Sequence, residues 1–243
     1  KFTYKVTYNK YESKINGKLD LNLNINADIY IQNSLIKECF FIKRGTNGII
    51  KITDSEIQGD IETKSGEVLE IDNSKISGVR IENNSQTMIW ASEIKGESLD
   101  IKENGEINIE DTIVRIDKYI QNEGNSRISI INSKVYSGEG LRTNGNEIID
   151  IENSEIESEK AGIVIERGEV EITDSKVKGE TGIEIKERGN IKHKGLEINS
   201  DKVGIDYAGE RDIEIKGIKI TSKETALKNE GKRIKITDRS EER

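Results

Sequence analysis

The 243 residues include no proline, although average usage of about 5% would supply about twelve. A residue without an N–H has few places in a backbone that pairs in ladders, so its absence favours continuous pairing over loops. Cysteine occurs once, at Cys39, which leaves no intrachain disulfide to form. Histidine occurs once, at His193, and no second histidine or cysteine stands within a coil or two of it, so no metal site is expected there. No apolar run approaches the roughly 18 residues needed to span a membrane, and no signal peptide is visible. A basic excess is also missing. The net charge is −8 and the isoelectric point is near 5.1, which argues against nucleic acid as a partner. HExxH, GxSxG and GxxxxGK[ST] are absent, as is the GGxGxD repeat of calcium-binding rolls.

What the chain does have is a repeat. An apolar-x-apolar-x-(Asn/Asp)-Ser-x-apolar unit returns about every 21 residues. Its serine column runs Ser13, Ser34, Ser55, Ser74, Ser92, Thr112, Ser133, Ser154, Ser175, Leu196 and Ile218. Two residues after each stands an apolar residue, from Ile15 through Ile94 and Val135 to Ile220, and from Ile31 onward three before it another, broken only by His193. The alternation within each unit has the period of a strand, and β-branched residues fill the inward positions. Glycines such as Gly59, Gly78, Gly96 and Gly179 punctuate the expected corners. A 21-residue unit cannot bury its own apolar face; stacked on its neighbours it can. The expected fold is all-β: a right-handed parallel β-helix of about 11–12 coils. Residues 13–238 would be coils, 1–12 an N-terminal strand or cap remnant, and 239–243 a charged tail. The start at Lys1 and the stop within a coil suggest that the parent chain is longer.

Outward positions support the stacking. The residue after the serine column reads Glu56, Lys75, Glu93, Ile113, Lys134, Glu155, Lys176, Glu197, Lys219. Apart from Ile113, the sign alternates, so opposite charges should face each other on successive rungs.

The Ile-x-Ile-x-(Asn/Asp)-Ser-x-Ile-x-Gly units, best seen in Ile52–Gly59, Ile71–Gly78 and Ile172–Gly179, resemble right-handed parallel β-helix proteins of the pectate-lyase-like superfamily. The column Asn33, Asp54, Asn73, Asp111, Asn132, Asn153, Asp174 and Asp238 resembles the stacked asparagine ladder of that fold. That superfamily includes polysaccharide lyases and hydrolases, phage tailspikes and adhesins. The coils here look most like passenger or stalk regions of bacterial surface proteins, which implies an extracellular or cell-surface location.

One outward cluster is a candidate site. Trp90 should lie between Asp72 and Glu110 on neighbouring rungs, with Met88 on the same face between Glu70 and Asn108. A tryptophan between two carboxylates on a flat sheet resembles a sugar platform. The carboxylates are two rungs apart, roughly 9–10 Å between Cα atoms, near the separation of an inverting glycosidase pair. The favoured expectation is a rigid spacer or adhesive segment without catalysis and without a cofactor. The alternative is a carbohydrate-binding or polysaccharide-degrading β-helix that uses the face around Trp90. Glycans or a host surface are the expected partners, with end-to-end self-association a further one.

Overall fold

The computed structural model describes residues 6–7, 13–15, 19–22, 29–37, 40–43, 49–59, 61–63, 68–83, 86–101 and 104–237. Cys39, Asp238, the tail 239–243 and most of 1–12 lie outside the described residues. Every element among them is a strand, and every strand pairing is parallel. Each coil contributes three strands, so the solenoid has three faces. The architecture is a parallel β-solenoid with about 21 residues per turn, consistent with a right-handed β-helix.

The first face holds Ile29–Gln32, Ile49–Thr53, Val68–Asp72, Gln86–Trp90, Glu106–Glu110 and Arg127–Ile131, and continues upward. Val6–Thr7 pairs below it with Ile29 and Tyr30. The second face begins at Ser13–Ile15 and ends at Lys219–Ser222, each rung pairing with the next. Those ten pairings join eleven rungs. The third face runs from Leu19–Asn22 to Thr225–Asn229.

The apolar columns point inward and fill the core. Ile50, Leu69, Ile107, Ile128 and Ile149 form one stacked column, and Ile57, Ile94, Val135, Ile156 and Val177 another, all fully buried. The alternating outward column also holds: Lys75 pairs with Glu93, Lys134 with Glu155, Glu155 with Lys176, and Glu197 with Lys219.

The serine column has a structural task. From Ser55 to Ser175 each hydroxyl donates to the carbonyl two residues earlier and accepts the backbone N–H of its counterpart one coil below. Ser154 Oγ lies 2.7 Å from the Glu152 carbonyl and 3.0 Å from the Ser133 nitrogen. The same bonds link Ser34, Ser55, Ser74, Ser92, Thr112, Ser133 and Ser175. Just before each lies a sharp corner in left-handed conformation. Asn or Asp occupies it at 33, 54, 73, 111, 132, 153 and 174, with φ of 45–50°, and Gly195 and Gly217 continue it. Asn and Asp tolerate that region better than other side-chain residues. Asn73 Nδ2 donates to Asp54 Oδ1 at 2.6 Å, one link of the ladder expected in this column.

Two expected irregularities take a definite form. Gly78, Gly96 and Gly179 do not end strands. The strands Lys75–Asn83, Glu93–Ile101 and Lys176–Glu187 run through them, and the corner becomes a register shift between Ile76 and Val79 or between Gly179 and Thr181. His193 does not continue the inward column smoothly. It pairs with Ile172 below but is half-exposed, and above it the first face breaks. Ile213–Lys216 pairs with Ile234–Thr237 as a separate two-stranded sheet. At the break His193 Nε2 accepts the Lys216 N–H at 3.4 Å.

Candidate functional site

The strand Gln86–Trp90 places Met88 and Trp90 outward because Thr87 and Ile89 take the inward positions and are fully buried. Pleating does the rest, since alternate side chains leave opposite sides of the sheet. Asp72 pairs with Trp90 from below and Glu110 from above, and Glu70 and Asn108 flank Met88 in the same way. The structure thus brings together all four residues expected from the sequence: Asp72, Met88, Trp90 and Glu110. Asp72, Met88 and Trp90 are half-buried, and Glu110 is exposed.

Two features of this face were not read from the sequence. Lys51 reaches up from two rungs below, with Nζ 5.8 Å from the centre of the Trp90 ring and 3.2 Å from Glu70. That distance is at the outer limit of a cation–π contact. Ala91, the next residue, holds φ at 50° in the column otherwise filled by Asn, Asp and Gly. The gap at Ala91 is visible in the sequence once the column is aligned; the reach of Lys51 is not.

Grooves lie elsewhere. One of about 650 Å³ follows the corner between the third and first faces and is lined by Arg167, Glu169, Glu187, Arg188, Asn190 and Glu210, among others. Most of its charged side chains pair with one another. Arg167 Nε donates to Glu187 at 2.8 Å, Asn190 to Glu169 at 2.6 Å, and Arg188 faces Glu210 at 3.6 Å. Two further grooves, of about 480 and 310 Å³, share Glu157 and Ser158 and together run along the outer edge of the second face from Arg115 to Lys223. The Arg115 guanidinium stacks over Tyr136 with 4.7 Å to the ring centre. Sequence alignment of the column would have found Tyr136, but not the trough beside it.

Electrostatically the outer faces are matched. Hydrogen bonding from Lys178 holds the Glu155 carboxyl below the usual range, Lys219 does the same for Glu197, and Lys235 for Glu214. His193 is shifted down by burial. Among the described residues no group of three His, Cys, Asp or Glu is placed to hold a metal ion, and no helix is long and apolar enough to cross a membrane. Compared with known proteins, the chain matches no family model and no curated protein.

Proposed function

We propose that this chain is a rigid structural or adhesive segment of a cell-surface or extracellular protein, a spacer without catalysis of its own. The observation that carries this reading is the unbroken ladder of the second face, whose rungs follow one another at steps of 18 to 22 residues from Ser13 to Ile218. Steps that short leave no inserted loop to wall off a substrate. Preorganised electrostatics act best in a water-poor pocket, and the grooves between rungs are open troughs in which Arg167 is already paired with Glu187 and Arg188 with Glu210. Carboxylates held ionised by a neighbouring lysine are poor general acids at neutral pH. The resemblance to stalk regions of bacterial surface proteins points the same way.

The test is to delete one whole coil, residues 154–174. A spacer assembled from nearest-neighbour contacts should keep its β signature and cooperative melt and shorten by one rung, roughly 4.8 Å. A deletion that unfolds the protein overturns the modular reading. Release of reducing ends from polygalacturonate or a neutral glycan, lost in Asp72→Asn or Glu110→Gln, would replace it with the enzymatic alternative. End-to-end self-association remains part of the proposal because a coil buries its apolar face only against another coil. Light scattering across a concentration series tests it, and a constant monomer mass counts against it.

A further inference from the structure

One coil combines several departures from the repeat. The step from Ser74 to Ser92 is 18 residues, the shortest in the chain. Within that coil Thr87 takes an inward position held by Leu69 below and Ile107 above, and its buried Oγ1 has no partner. Trp90, the only tryptophan, replaces the usual small or charged outward residue. Ala91 sits in the left-handed corner with neither the amide of Asn nor the freedom of Gly. A buried orphan hydroxyl and a strained alanine each cost stability. The neighbouring coils hold the less costly residue at both positions. Single orphaned polar atoms occur elsewhere, at Ser137 and Ser200 for example, but in this coil an orphan hydroxyl, a strained alanine and an outward tryptophan lie within five residues, and local costs that cluster are where function is sought.

We propose that this strand and its corner form a binding subsite for a neutral hexopyranose stacked on Trp90. The indole is half-exposed on a flat face and offers an apolar plane to the C–H face of a sugar ring. Hydroxyls at the ring edge would donate to the carboxylates of Asp72 and Glu110, one rung below and one above. Lys51, 5.8 Å from the indole centre, adds a donor for a sugar oxygen. Ala91 keeps a polar side chain out of the corner beside the indole. Ile113, 39% exposed on the next rung of the second face, extends the apolar ground. Charge selects among sugars: two flanking carboxylates repel a uronate and accept from a neutral sugar. This subsite does not depend on the spacer reading, since a spacer can carry it or lack it.

Trp90 is the sole tryptophan, so its fluorescence reports on the site alone. The probes are hexasaccharides of β-1,4-linked glucose, mannose and galactose, with hexagalacturonate as the charged comparison. The expected result is a saturable change in emission with at least one neutral hexasaccharide and none with hexagalacturonate. Glu110→Gln should weaken the response about tenfold, as losing one directional contact does. Ala91→Asn should weaken it similarly while raising the melting temperature, because Asn relieves the strained corner. A purely structural role for residue 91 would move stability without moving affinity. No saturable change with any neutral sugar overturns the proposal. So does an equal response to hexagalacturonate, or a response undiminished in both variants when their melts show them folded.

Discussion

Removing one hydroxyl from the serine column should be costly out of proportion to its size. Ser154 is buried, and its Oγ accepts the Ser133 N–H at 3.0 Å while donating to the Glu152 carbonyl at 2.7 Å. Ser154→Ala leaves the Ser133 N–H, itself on a residue 2% exposed, without that acceptor. An orphaned buried donor costs about 1–3 kcal/mol, so about 2 kcal/mol is expected here. For a chain of this length that is a fall in Tm of about 4–8 °C. Hydrogen exchange should localise the damage, because each coil contacts only its neighbours. Amides of 128–135 and 149–156 should lose protection while those of 50–57 keep theirs. Ser154→Thr is the control. Thr112 makes the same two bonds elsewhere in the column, at 2.7 and 3.3 Å. It should therefore stay within about 0.5 kcal/mol of wild type. Were Ser154→Ala equally mild in urea denaturation, the column would be packing and not bonding, and the reasoning would fail.

Ile172 is almost fully buried above Ile151, so Ile172→Asp should abolish cooperative folding of the coils around it; an unchanged circular-dichroism melt would contradict the assigned register. Glu155→Lys reverses a surface charge bonded to Lys178 and paired across the ladder with Lys134 and Lys176. Exposed pairs are weak, so denaturation should show a loss of about 1 kcal/mol or less. Burial lowers the His193 pKa below its ordinary value near 6.5, so the neutral ring is the folded form. Its stability contribution is complete above about pH 6.5 and is lost as the pH falls below that, when the unfolded chain takes up the proton first. Melts between pH 7.5 and 5 should therefore drop less for His193→Ile than for wild type, and equal slopes would refute the assignment.

Register was the most legible property of the sequence. A period near 21 with isoleucine at fixed offsets leaves one way to stack the coils. The facing of Asp72, Trp90 and Glu110 follows from counting alone, as does the alternation of Lys134, Glu155 and Lys176. Legibility fell where a residue's task lies in backbone geometry. The serines read as a marker, and only the structure shows each hydroxyl bridging two coils. Gly179 read as a corner, and only the structure shows that the pairing continues past it with a register shift. His193 read as a break in the inward column, and it stands where the first face parts; that its ring accepts a hydrogen bond from the next coil only the structure shows. The trough beside Tyr136 depends on how neighbouring rungs offset their long side chains, which a column of letters does not show.

Rigidity over the length of the solenoid is the claim on which the spacer reading stands. Lys75 and Lys219 are exposed in the same outward column, seven rungs apart. Spin labels on cysteines at these two positions, with Cys39 replaced by serine, report their separation by double electron–electron resonance. At strand spacing the backbone distance is about 34 Å. A narrow distribution centred there, widened only by the label arms, is the predicted result. A broad distribution, or one centred well away from that distance, would contradict a rigid stack of coils.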